Sequence, residues 1–166
     1  MSECIQTQRL VLRPHRAEDA GAVAALIGNH TVARWLPRVP HPYTEADALA
    51  FFALDRVQDE ALAITLNGDL IGGCGIDEEL GYWLGEPFWG HGYASEAARA
   101  LIERYFARTQ APLMSGHRIG NAASRRVLCG LGFADADLVW RHSLLEGAEV
   151  EIQQMVLSAE QWSAAA

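Results

Sequence analysis

No Cys-x-x-Cys pair occurs in this sequence, and its three cysteines, Cys4, Cys74 and Cys129, are an odd number. A disulfide framework and a cysteine-built zinc site are therefore excluded as organising principles, and no metal is expected. Long hydrophobic runs are missing too. Nothing approaches the roughly 20 apolar residues that cross a bilayer, so no membrane partner is expected. The opening MSECIQTQRL has no apolar core behind a charged region, the mark of a secretory leader, which makes a reducing cytoplasm the expected location. Internal repeats and low-complexity linkers are absent, and residues 1–166 read as a single domain. Positive charge is scarce: 13 basic residues stand against 21 acidic ones, a net charge of −8. Nucleic-acid phosphates would be repelled by that balance. An amine-bearing partner is compatible with it, though acidity of this size is also ordinary.

What is present is half hydrophobic, enough for a core without staples. Residues 9–13 (RLVLR) alternate as a strand that Pro14 ends, and residues 18–27 carry helical spacing in Ala22, Val23, Leu26 and Ile27. Residues 30–36 suggest a short helix, and Pro37, Pro40 and Pro42 impose an irregular stretch after it. Thr44, with Asp47 three residues on, predicts a capped helix. Strands are predicted at 61–66 and 70–76 around Asn67-Gly68-Asp69, a hairpin signal, and at 79–84. The spacing then predicts a helix over 93–108, a strand over 113–118, a helix over 121–131 and a terminal hairpin of 134–144 with 149–157. The last four residues, 163–166, read as a loose tail. This order is that of a mixed α/β sheet with at least one parallel β-α-β unit.

The most informative segment is EPFWGHGYASEA, residues 86–97, where a strand runs into Gly-x-Gly and the loop opens directly into a helix. Gly90 and Gly92 let backbone approach a ligand closely. The unpaired N–H groups of the first helical turn and the helix dipole, about half a positive charge, suit a pyrophosphate without a lysine or a metal. Gly-x-Gly alone equally serves an ordinary tight turn. A Rossmann loop fits less well, because Ser95 stands where its third glycine belongs, and no Gly-Lys-Ser/Thr follows to make a P-loop. A second motif, NAASRRVLCGLGF, spans residues 121–133. Asn121 and Ser124 share a face at a helix start, where they can hold a polar chain or donate a proton, or simply cap the helix.

Together the two motifs resemble the GNAT acetyltransferases. The loop is similar to that superfamily's acetyl-CoA motif, Gln/Arg-x-x-Gly-x-Gly/Ala, and the Asn-x-x-Ser segment to the cofactor-binding helix after it. The stretches TQRLVLRPHRAEDA, HPYTEADALAFF and ELGYWLGEPFWGHGYASEA resemble the branch of ribosomal-protein N-terminal acetyltransferases, so the resemblance runs from about Thr7 to Leu157. It implies a GNAT fold, a twisted mixed sheet of about six to seven strands flanked by helices and splayed in the middle. It further implies acetyl-CoA as donor and a primary amine as acceptor, with a protein or peptide α-amine first and a small amine such as an amino acid, polyamine or antibiotic as the alternative. A non-catalytic acyl-CoA-binding module and an interaction protein that uses the fold alone are the remaining readings. Many relatives dimerise, and a homodimer belongs to the expectations.

Two departures stand out. Pro87 occupies the Gln/Arg position, leaving phosphate binding to the backbone of Phe88, Trp89, Gly90, His91, Gly92, Tyr93 and Ala94. Leu128 stands where many relatives carry a tyrosine that protonates the departing thiolate, so the Ser124 hydroxyl is the implied substitute. The resemblance places pantetheine along the strand at 79–84, with the Leu84 backbone N–H as oxyanion donor. Asn121 and Arg126 join Leu84 and Ser124 as cofactor contacts, and Arg125 is a further candidate for a CoA phosphate. Glu79 is the expected general base, with Asp77 and Glu78 as rivals. Trp35, Tyr43, Tyr82, His117 and Trp140 are acceptor-pocket candidates, although aromatic residues more often serve the core. His117 also has the chemistry of a base.

Overall fold

The computed structural model describes residues 4–55 and 61–165. A two-residue strand, β1 (Ile5–Gln6), pairs with β2 (Leu10–Pro14), whose Leu10 and Leu12 point one way into the core. A single 3-10 turn at Ala17–Asp19 leads into α1 (Ala20–Ile27), and α2 (His30–Ala33) follows, capped by the Asn29 side chain accepting from Thr31 N–H. The cap predicted at Thr44 is formed: its hydroxyl accepts from Asp47 N–H and the Asp47 carboxylate accepts from Thr44 N–H, starting α3 (Glu45–Phe52).

Strands β3 (Leu62–Leu66) and β4 (Asp69–Asp77) join through Asn67-Gly68, both with positive φ, at 53° and 91°. That is the signature of a type I′ turn, formed where the sequence carried the hairpin signal. Strand β5 (Glu79–Leu84) follows at once, with Glu78 alone at the bend in the left-handed region. Helix α4 (Tyr93–Arg108), β6 (Leu113–Arg118) and α5 (Ala122–Gly130) form the crossover half, and β7 (Ala134–Ser143) and β8 (Ala148–Leu157) the terminal hairpin.

Among the described residues the sheet has eight strands in the order β1-β2-β3-β4-β5-β6-β8-β7, against the six to seven expected. The addition is β1, too short to show a period of two. The end of the chain also differs from expectation. Instead of a loose tail, α6 runs from Ala159 to Ala165. Ser158 and Gln161 cap it reciprocally, Trp162 packs on the main core, and its ring lies 6.4 Å from that of Phe106.

Helices cover both faces of the sheet. Residues of α4 and α5 (Ala97, Ala98, Leu101, Ile102, Leu128) close the main core over β2 to β6 and β8, while α1 and α3 close a smaller one with Ala63, Leu70 and Trp83. Arg13 and Asp19, buried at the start of the first helical region, form a two-pronged ion pair at 2.7 and 2.8 Å. Breaking a buried pair of this kind by removing one partner costs about 3–5 kcal/mol. Among the described residues no helix is long and apolar enough to cross a membrane.

One irregularity positions the site. Among the described residues strands β5 and β6, six residues each, are the only parallel neighbours, yet they share a single register pair, Glu79 with Met114. A side-chain bond from Ser115 Oγ to the Leu80 carbonyl, 2.8 Å, follows just beyond it. Past that point the two strands pair with nothing between them, and the sheet is open in its middle.

Candidate active site

The loop after β5 begins with a 3-10 turn at Glu86–Phe88 and has Gly90 and Gly92 at φ 77° and 79°. An L side chain in that region costs about 1–2 kcal/mol, more when β-branched. A Cβ built on Gly90 meets no atom within 4 Å, so the space beside the loop is open. The first intrahelical bond of α4 runs from Glu96 N–H to the Gly92 carbonyl at 3.0 Å. The N–H groups of Tyr93, Ala94 and Ser95 precede the ladder, and no side chain caps them. An open, positive-ended cradle of backbone donors is what a pyrophosphate requires. Within the loop, Phe88 and Tyr93 lean on the main core, His91 is exposed, and Trp89 donates from Nε1 to the Leu84 carbonyl at 2.8 Å.

The loop has a brace that the sequence reading did not single out. Arg9, just before β2, donates from Nη1 to the His91 carbonyl at 2.9 Å and lies 4.5 Å over the Tyr93 ring. Its Nε reaches Glu96 at 2.7 Å, and Glu96 also accepts from Thr7 Oγ1 at 2.6 Å and from Arg9 N–H at 2.7 Å. Burial opposes the charge on Glu96, but these three donors outweigh it and hold the carboxyl below its ordinary range. A carboxylate in the first turn would repel a phosphate if it were free. Here its charge is spent on Arg9.

The register of β4 with β5 decides what faces the opening. Gly85 N–H bonds to the Ile71 carbonyl at 2.9 Å, and the uninterrupted register pairs Gly72 with Leu84 and Cys74 with Tyr82. Antiparallel pairs alternate between bonded and non-bonded, so the backbone polar groups of Leu84, Tyr82 and Leu80 turn away from β4 toward β6. The Leu80 carbonyl is met by Ser115 and that of Leu84 by Trp89. The N–H of Leu84 is left aimed into the opening, where the oxyanion donor was expected.

Across the opening stands the start of α5. Asn121 accepts from Ser124 N–H at 3.2 Å, as an N-cap does. The Ser124 hydroxyl lies 2.9 Å from the Tyr82 hydroxyl, which spans the opening from β5. Tyr82 packs on the main core, and burial pushes its phenol up to about 12, with the Ser124 hydrogen bond pulling the other way. Leu128, one turn on, is fully buried. Arg126 is exposed, and Arg125 forms a two-pronged pair with Asp135 at 2.8 and 3.0 Å.

On the other face Glu79 is clamped. Arg141 donates to both its oxygens, at 2.7 and 3.0 Å, and the exposed Arg38 lies 3.8 Å away. The Arg141 hydrogen bonds come first in holding the carboxyl below its ordinary range, against the opposing effect of burial, with the charges of Arg141 and Arg38 adding to it. Arg141 lies on β7, three strands from β5 in the sheet order. Glu79 is level with Met114 at the start of β6, whereas Arg141 pairs with Val150, beyond the Arg118–Ile152 pair at the end of β6, so the terminal hairpin bends toward β5 to make this contact. Its tip meets the segment after α2: Leu144 N–H bonds to the Pro37 carbonyl at 2.9 Å. Arg118 ties the Arg34 carbonyl at 2.7 Å to the Glu146 carboxylate. The two segments form an arch.

The remaining candidates scatter. Trp35 sits beside the arch under the Arg34 guanidinium, 4.4 Å from its ring. Tyr43 packs in the smaller core and burial raises its phenol, so it is a core residue. His117 is buried, with Nδ1 3.1 Å from the Arg118 carbonyl and Nε2 3.5 Å from Arg125. The carbonyl takes a proton from Nδ1, which leaves Nε2 turned to a guanidinium beneath α5. Asp77 and Glu78 are exposed at the β4–β5 bend. Trp140 is 64% exposed on the edge strand β7. Arg9, Arg38, Arg118 and Arg141 went unnoticed in the sequence; Arg9 lies inside TQRLVLR, and no spacing signal marks the others.

Comparison with known proteins agrees with this fold. Residues 9–134 match the family model of an acetyltransferase (GNAT) domain. A protein of Bacillus licheniformis named "Uncharacterized N-acetyltransferase p20" is 25% identical over 97% of this chain and 99% of its own. Among solved structures, Mycobacterium smegmatis RimJ in complex with CoA-disulfide superposes with a TM-score of 0.77, 20% identity and coverage of 99% of this chain and 95% of its own. An acetyl transferase of Salmonella typhimurium, described as modifying the N-terminal serine of 50S ribosomal subunit protein L7/L12, superposes with a TM-score of 0.78 at 20% identity, covering 94% of this chain and 99% of its own.

Proposed function

The chain belongs to the GNAT acetyltransferase family, and from that premise we propose that this enzyme transfers an acetyl group from acetyl-CoA to the α-amine of a protein or peptide N-terminus. The cradle at Gly90 to Ala94 holds the pyrophosphate, Asn121 and Ser124 flank the chain of the donor, and Arg126 lies on the exposed face of α5 for its outer phosphate. Leu84 N–H meets the oxygen of the reacting carbonyl. Ser124 Oγ meets the departing sulfur.

The clamp on Glu79 carries the choice of acceptor. An attacking amine must be neutral. A carboxylate held by two guanidiniums, with its pKa lowered, is a weak proton acceptor, so we read Glu79 as the anchor of the arch rather than as the base. His117 is committed to Arg118 and Arg125. The acceptor therefore brings its own neutral fraction. With a pKa near 8, roughly a tenth of an α-amine is neutral at pH 7, against about four in ten thousand for a lysine near 10.4. Arg38 and Arg141 beside the opening disfavour the ammonium form further. The described action of the Salmonella relative on an N-terminal serine supports the same acceptor class.

A second reading, transfer to a small amine, rests on the arch. The bond between Leu144 and Pro37 closes one side of the entrance, which a small molecule tolerates as well as a peptide end does. Release of free thiol from acetyl-CoA, measured with a pool of short peptides of varied first residue and with a pool of amino acids and polyamines, separates the two. Signal from the peptide pool alone supports the N-terminal reading. Signal from the small amines alone overturns it.

A further inference from the structure

We propose that Tyr82 is a positioning residue for the departing sulfur: its hydroxyl donates to Ser124 Oγ and thereby directs the serine proton into the opening between β5 and β6. The inference rests on the reading that Ser124 meets the thiol, and it adds a second hydroxyl to that task.

Three observations carry it. The first is distance. Tyr82 Oη lies 2.9 Å from Ser124 Oγ and 3.3 Å from the Ser124 carbonyl. Hydroxyl hydrogen bonds fall at about 2.5–3.0 Å, so the two hydroxyls are bonded to one another and the carbonyl contact is the longer, weaker one. The Ser124 carbonyl, moreover, belongs to the interior of α5 and serves the helical ladder through the N–H four residues on. The second is placement. A serine oxygen that accepts from Tyr82 keeps its own proton for another partner, and Asn121 fixes the backbone of the same residue. The third is permanence. Burial keeps the phenol protonated, at about 12, across the working range of an amine acetyltransferase. Tyr82 is then a donor at every relevant pH.

Magnitudes decide what such a chain does. A thiol of ordinary acidity has a pKa near 8.5, far below that of an alcohol, so the sulfur departs as thiolate and needs a strong hydrogen-bond donor rather than a full proton from serine. As the carbon–sulfur bond breaks and its electron pair moves to sulfur, Ser124 O–H donates to the growing charge and Tyr82 O–H supports the serine oxygen. Linked donors of this kind strengthen one another by roughly 10–30% per bond. The thiolate then takes up the proton that the amine nitrogen releases on forming the amide. Both hydroxyls keep their protons, and amine plus thioester gives amide plus thiol.

The test measures free-thiol release from acetyl-CoA, with the peptide pool as acceptor and with water alone. The proteins are the wild type, Tyr82→Phe, Ser124→Ala and the double variant, each with its melting temperature and its Kd for acetyl-CoA. Tyr82→Phe is expected to lower kcat about fivefold to tenfold in both assays, equally from pH 7 to 9, with Kd within twofold. Ser124→Ala lowers kcat further, and adding Tyr82→Phe to it changes nothing more. An equal loss from Tyr82→Phe with and without Ser124 would reduce the phenol to packing and overturn the proposal. So would wild-type kcat in Tyr82→Phe while Ser124→Ala is impaired. Wild-type kcat in Ser124→Ala would remove the serine reading and this inference together. Because the hydrolysis arm needs no amine, a wrong acceptor class leaves the result readable.

Discussion

The side of the opening that we assign to the donor is one continuous stretch: β5, the turn at Glu86–Phe88, two glycines and the start of α4, braced from outside by Arg9 and Thr7 and, at Glu86, by the Asn29 side chain. The side that we assign to the acceptor is gathered from four separate segments, the stretch after α2, the start of β5, the end of β6 and the β7–β8 hairpin, and arginine side chains make all but one of the contacts described there. The first is a matter of backbone conformation, the second of charge. The contrast teaches where substitution acts: on the donor side it changes shape, on the acceptor side it changes the balance of arginine and carboxylate.

Variants that move one side and spare the other sharpen the contrast. Gly90→Val has the largest expected effect. It forces a β-branched residue to φ 77° and fills the open space beside the loop, so acetyl-CoA affinity should fall about a hundredfold or more, roughly 2.7 kcal/mol. Calorimetric titration, with circular dichroism to show the fold intact, checks this; unaltered affinity would remove the loop from the site. Arg141→Ala should raise the acceptor KM about tenfold and leave that for acetyl-CoA within twofold, as steady-state kinetics with each substrate varied would show. If both constants rose together, the two sides would not be separable. Arg9→Ala is expected to raise the acetyl-CoA KM about threefold to fivefold at constant acceptor KM, because the loop keeps its backbone and loses only its brace.

The smallest expected change concerns pH. The folded pKa of Glu79 lies below its ordinary value of about 4.3, so its pair with Arg141 is complete at neutral pH and is lost only as pH falls through that lowered pKa. Between pH 6 and 9 the acidic limb of kcat/KM therefore belongs to the acceptor amine, and Glu79→Gln should leave the limb in place while raising the acceptor KM. A limb that disappears in this variant would restore Glu79 as the base.

Legibility in the sequence follows the same division. Strand β5, α4 and β6 fall on the residues that the pattern indicated, and the Asn67-Gly68 turn and the Thr44 cap form as read, because glycine conformation, capping and periodicity are encoded within a few residues. The Asn121 cap on α5 belongs to this class as well. The arch does not. Nothing near Glu79 announces Arg141, sixty-two residues on, since an ion pair depends on how the hairpin curls and leaves no periodic trace. Tyr43 is the converse case: an aromatic beside a proline-rich loop reads as a pocket wall, and the structure packs it, partly buried, on the smaller core. For Tyr82 the sequence suggested an acceptor-pocket residue and missed the Ser124 hydroxyl as its partner, which only the α5 crossover brings within reach.

Every cation in the ion pairs described above is an arginine, and the whole sequence contains no lysine. A guanidinium stays protonated and is no nucleophile at physiological pH. The enzyme thus handles a reactive thioester while offering it no ε-amine of its own, and the charges that brace its loop and close its arch are immune to self-acylation at any concentration of its donor.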